Sequence, residues 1–147
     1  MTVERILVAV DDSAAALHAA RRAMELACLL PAPVLRFAHV LGDGELARRF
    51  SRLHADGSVR ERRASAGASL LAHVLALAEA AGLTADTADL EGDPVALLLA
   101  EATTWRADLV VLGRSPRRGA GRSYVGDTAR HVLEFSEVPV LLVPTGG

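Results

Sequence analysis

Short apolar runs recur along the chain, and between them apolar residues return at helical spacing. Ile6 to Val10 is a continuous apolar stretch stopped by Asp11-Asp12-Ser13. A short run without alternation suits a strand buried on both faces. Ser13 is a natural helix N-cap, and Leu17, Ala20, Met24, Ala27 and Cys28 follow as a helical stripe, with Cys28 expected to be buried and inert. Val34 to Val40, introduced by Pro31 and Pro33, is a second strand. The polar stretch from Leu41 to about Ser58 reads as a long, partly helical connection. Leu70, Val74, Leu77, Ala78 and Ala81 mark a second helix, closed by Gly82.

Leu83 to Leu90 is the third and faintest strand. Asp93 then suits an N-cap and Pro94 the first helical position, ahead of a stripe of Val95, Leu98, Leu99 and Ala102. Leu109 to Leu112 is a fourth strand ended by Gly113. After a glycine- and arginine-rich loop, Asp127 opens a last helix, with a cap role for its side chain and Ala129, Val132 and Leu133 turned inward. Val140, Leu141, Leu142 and Val143 form the fifth strand. Strands alternating with helices predict an α/β fold, a doubly wound five-stranded parallel sheet with helices on both faces. The 147 residues form one domain, 1–147, with no internal repeat.

Composition narrows the function. Apolar residues make up 51% of the chain and aromatics 3%, so the core is built from Ala, Val and Leu. The formal net charge is -2, with 16 basic residues, all arginine, against 18 acidic ones. This balance argues against a general nucleic-acid partner. Cys28 is the single cysteine, which excludes an internal disulfide and fits a reducing compartment. The N-terminal residues lack the shape of a signal peptide, and no apolar run reaches the length of a membrane helix, so a cytoplasmic protein is expected.

In a doubly wound sheet, ligands bind outside the carboxyl ends of the strands, at the switch point. The loop after the first strand, at Asp11, and the loop from Gly113 to Gly126 both belong there. The second is Gly113-Arg114-Ser115-Pro116-Arg117-Arg118-Gly119-Ala120-Gly121-Arg122-Ser123-Tyr124-Val125-Gly126. Glycines permit close backbone approach to an anion, a helix start supplies free N–H groups, and Arg114, Arg117, Arg118 and Arg122 add fixed charge. There is no Gly-Lys-Ser/Thr, hence no P-loop, and no dinucleotide fingerprint follows the first strand.

Gly113, its preceding Asp108-Leu109-Val110-Val111-Leu112 strand, Gly126 thirteen positions on, the opening Val8-Ala9-Val10-Asp11 with Ser13, and His39-Val40, Gly92, Pro94 and Ala107-Asp108 together resemble the universal stress protein family. Its pattern is a glycine, two residues, a glycine, nine residues, then glycine and Ser or Thr. The resemblance implies an adenine-nucleotide-binding type of α/β fold, with Asp11 and Val40 at the adenosine end. The backbone at Gly113 and Gly126 would hold phosphates, aided by Arg114, Arg117 and Gly119, and position 127 would face the terminal phosphate. It also implies a homodimer through the last strand, Val140 to Val143.

This chain departs from the pattern twice. Pro116 replaces the second glycine and removes an N–H. Asp127 replaces the hydroxyl residue, where a carboxylate facing phosphate would cost about 1–3 kcal/mol. The four arginines or a Mg²⁺ ion would offset that repulsion. Two readings therefore stand open: a module that binds ATP or a related adenine nucleotide in stress response, and a dimeric interaction or regulatory protein that has lost ATP. An enzyme ranks last, at most a slow ATP hydrolase, since no catalytic residue is apparent. The five histidines show no metal spacing and no Gly-x-Ser-x-Gly elbow exists. His39 reads as a hydrogen-bonded strand-end residue and Trp105 as packing the end of its helix.

Overall fold

The computed structural model describes residues 2–11, 13–42, 58–114 and 126–145. In chain order the elements are β1 (Arg5–Ala9), α1 (Ala14–Ala27), β2 (Val34–Gly42), α2 (Ser58–Ala80) and β3 (Thr84–Gly92). They continue with α3 (Pro94–Thr104), β4 (Leu109–Arg114), α4 (Asp127–Phe135) and β5 (Val140–Pro144). The strands form one sheet in the order β3-β2-β1-β4-β5, and every pairing is parallel. The expected doubly wound α/β architecture is present. The chain runs outward from β1 to β3 and then crosses back to β4, so the switch point lies between β1 and β4. The connection over residues 43–57 and the arginine-rich loop over 115–125 lie outside the described residues.

Two apolar layers hold the sheet between helices. On one face Ile6, Val8, Leu35, Phe37, Val111 and Val143 pack against α1 and α2. On the other, Leu7, Ala38, Val110 and Leu112 pack against Leu98, Ala102, Ala129 and Val132 of α3 and α4. The apolar runs of β1 and β4 lack alternation because successive residues feed opposite layers, both covered. No described helix is long and apolar enough to cross a membrane.

The capping residues do what their chemistry suggests. The Ser13 hydroxyl accepts from the Ala16 N–H at 3.1 Å, and the Asp93 carboxylate accepts from the Ala96 N–H at 2.9 Å. Gly82 closes α2 with φ of +76°, a conformation costly for any side chain. His39 meets Asp89 at 3.3 Å, and Trp105 caps the end of α3 with 8% of its surface exposed.

Several side chains sit differently from their sequence pattern. The buried face of α1 is Ala15, Ala16, Ala19, Ala20, Ala23, Met24 and Ala27, while Cys28 is exposed at the helix end. Alanine carries no branched side chain, so α1 lies close on the sheet, and Cys28 falls one step past the buried stripe. Leu133 is 40% exposed, because the inward face of α4 is carried by Ala129 and Val132. Helix α2 begins at Ser58, well before its leucines, and its first half buries Gly67.

At the start of the strands, the Asp108 carboxylate accepts from the backbone N–H groups of Arg5 at 2.9 Å and Glu4 at 3.0 Å. These two bonds, with the nearby Arg5 charge, hold its carboxyl below the usual carboxylate range. This tether fixes where β4 begins relative to β1, and through the register Ile6 to Leu109 it fixes where both strands end.

Candidate functional site: a cleft at the switch point

A cleft of about 200 Å³ opens at the carboxyl ends of β1, β2 and β4. Its floor is Ala9, Ala38, Val40 and Leu112, and its walls come from the first turns of three helices. Ser13 and Ala16 belong to the start of α1, Pro94 and Leu98 to α3, and Thr128 and Ala129 to α4. Each helix directs the positive end of its dipole toward the same space. The first two starts are already capped by the Ser13 and Asp93 side chains, while α4 is capped by Gly126 with no side-chain bond.

Gly113 sets the width of the cleft. A Cβ at this position would fall 2.5 Å from the Ala15 carbonyl oxygen and 3.0 Å from the Ala16 nitrogen. The glycine therefore serves helix–strand contact: the alanine face of α1 descends onto the end of β4 and brings Ser13 and Ala16 to the cleft. The sequence reading of Gly113 rested on anion approach alone. The packing gives a second, independent reason for the same residue.

Three of the expected site residues line the cleft, namely Asp11, Val40 and Gly113. Asp11 is exposed, and its Oδ1 accepts from the Ser13 N–H at 2.8 Å, which braces the turn and leaves Oδ2 without a partner among the described residues. Arg114 ends β4 opposite Pro144, and its buried Nε has no hydrogen-bond partner among the described residues. Gly126 is the N-cap of α4 and Asp127 is its first residue, so the cap role expected of the Asp127 side chain belongs to neither. The Asp127 side chain is 86% exposed and pairs with Arg130 at 3.1 Å, outside the cleft lining. An exposed carboxylate at a helix start is favoured by the dipole and screened by solvent. Arg117 and Gly119 lie outside the described residues.

The sequence reading missed Thr128 and Ala16. Thr128 follows the expected position by one residue, and the Gly126-Asp127-Thr128 run offers that hydroxyl to a reader who allows a one-step shift. Among the described residues no group of three or more His, Cys, Asp or Glu side chains is placed to hold a metal.

Fold, register and cleft define a doubly wound α/β protein with a cleft at its switch point. The description Universal stress protein family matches residues 2–144, and the chain belongs to that family. A universal stress protein of Methanocaldococcus jannaschii is 31% identical over 143 residues, covering 95% of this chain and 81% of the relative. The solved structure of the hypothetical protein MJ0577 superposes with a TM-score of 0.85 at 17% identity, covering 100% of this chain and 99% of that one. A universal stress protein crystallised in complex with cAMP is 26% identical, with a TM-score of 0.69 and coverage of 99% and 100%.

Proposed function

We propose that this protein is a nucleotide-responsive module that binds ATP or a related adenine nucleotide in the switch-point cleft and acts in stress response through conformation or partner choice. The observation that carries the reading is the cleft itself. It is mainly apolar, is met by three helix starts, and holds the Asp11 carboxylate at one side. Such sites combine apolar walls with a few polar groups that fix orientation. The relative in complex with cAMP supports an adenine nucleotide as the class of ligand. Mg²⁺, where required, would arrive on the phosphates. Any hydrolysis is slow in this reading, because among the described residues the only ionisable side chain lining the cleft is Asp11, already braced by Ser13.

The test is thermal melting with AMP, cAMP and ATP–Mg²⁺. A ligand present at about a hundred times its dissociation constant should stabilise the fold by ~2.7 kcal/mol. An unchanged melting temperature with all three at millimolar concentration would count against nucleotide binding.

A second reading, a dimeric interaction role, is favoured by the sheet edge. β5 is a terminal strand, Leu141 is 39% exposed, and Leu26 and Leu29 of the α1 region flank the same groove, with Leu29 81% exposed. The opposite edge, β3, carries Asp86, Asp89 and Glu91, charges that discourage strand pairing. Pairing of two copies along Val140, Leu141, Leu142 and Val143 would cover the apolar edge. Leu141→Lys should convert the dimer to a monomer by light scattering, and an unchanged mass would rule out that interface.

A further inference from the structure

On one face the sheet is wider than the helices that cover it. A helix is about 10 Å across and strands lie about 4.8 Å apart, so one helix covers roughly two strands. On the face built around Ile6 and Val8, α1 packs on β1 and β4, and α2 packs on β2 and β3. Among the described residues, β5 meets only the flank of α1 there. A groove of about 470 Å³ runs between them, with Leu26 and Leu29 on the α1 side and Leu141 and Val143 on the strand side. His18 links it to a second hollow of about 390 Å³ beside Leu17 and Arg21. The depression therefore follows α1 from its first turn to its end.

The edge of this depression is basic. Arg22 is paired with Glu25 at 2.8 Å, whereas Arg21 is exposed and has no partner among the described residues. Glu25 is the one acidic side chain among the described residues that line either hollow. An apolar floor with a basic edge complements an apolar stripe flanked by acids. A second copy paired along β5 lacks that complement, because its α1 brings the same Arg21 and Arg22. We propose that the groove between α1 and β5 docks an acidic amphipathic helix of a partner protein, its apolar stripe on Leu26, Leu29 and Leu141 and a carboxylate against Arg21. The helix lies beside α1 and covers the face of β5 that α1 leaves open. This surface is separate from the switch-point cleft, and its use depends neither on nucleotide binding nor on pairing of two copies.

Fluorescence anisotropy tests it, with the full chain and a dye-labelled synthetic peptide of about 18 residues, long enough to form a helix. The peptide carries leucine at helical spacing and glutamate and glutamine elsewhere, and its control has lysine in place of glutamate. The glutamate peptide should bind saturably, weaken as salt rises, and bind at least about tenfold more tightly than the lysine peptide. Leu29→Ser and Arg21→Glu should each weaken it about fivefold or more, and Arg21→Glu should tighten the lysine peptide. Both positions are exposed, so both variants should melt as the wild type does. Absence of saturable binding by the glutamate peptide, equal binding of the two peptides, or unchanged binding in both variants would overturn the proposal. So would a Leu29→Ser protein whose mass by light scattering is halved while its peptide binding stays intact, which would give the groove to a second copy.

Discussion

Trp105→Ala is expected to lower the unfolding free energy by about 3–5 kcal/mol, a large share of the ~5–15 kcal/mol that holds a domain folded. The ring is nearly buried at the end of α3, between two guanidinium groups. Arg36 lies 4.8 Å and Arg5 5.5 Å from the ring centre. Arg5 also donates to the Trp105 carbonyl at 2.8 Å. Arg36 in turn holds Asp86 through two bonds of 2.8 and 3.0 Å and Glu101 through one of 2.7 Å. One indole thus braces β1, β2, β3 and α3 at the amino end of the strands, away from the cleft. Removing it leaves a cavity and takes the cation–π support from both arginines. Trp105→Phe, which keeps a ring, should lose distinctly less. Urea denaturation followed by circular dichroism measures both. A loss below about 1 kcal/mol for the alanine variant would mean that the ion pairs alone hold this corner.

Gly113→Val is the second large effect, and it reaches both stability and binding. The first added carbon already collides with the backbone of Ala15, and backbone cannot rotate aside as a side-chain tip can. Helix α1 must lift from β4, which costs about 1–3 kcal/mol in overpacking terms. Because Ser13 and Ala16 form the cleft wall, lifting α1 also deforms the cleft. The affinity for the proposed nucleotide should fall at least about tenfold. A Gly113→Val protein that melts and binds as the wild type does would show that α1 does not shape the site.

Much of the fold is written in local patterns. The uninterrupted apolar run of β1 announced a strand covered on both faces, that of β4 a strand, and Ser13 and Asp93-Pro94 placed the starts of α1 and α3, all as found. What escaped depends on partners distant in sequence. The inner face of α1 is mostly alanine, which a hydrophobic stripe led by Leu17 and Met24 does not reveal. The first half of α2 has no apolar stripe because part of its buried face is Gly67, beneath the His39 ring, a fit visible only when β2 and α2 are together.

The candidate site was legible to the same extent. Asp11, Val40 and Gly113 sit at strand ends, where topology alone assigns them to the switch point, and they line one cleft. The outward turn of Asp127 and the presence of Thr128 in the cleft follow from the rotation of α4, which Ala129 and Val132 set by burying themselves in the second layer. A one-residue difference along a helix rotates a side chain by roughly 100°, enough to exchange a carboxylate for a hydroxyl at the cleft.

The measurement that bears most directly on the proposed nucleotide binding is a nuclear magnetic resonance titration of isotope-labelled protein with AMP. The account predicts saturable amide shifts concentrated at Asp11, Ser13, Val40, Gly113, Thr128 and Ala129, with the Trp105 corner unmoved. Shifts that fail to saturate, or that gather along β5 and α1 while the cleft stays silent, would contradict it.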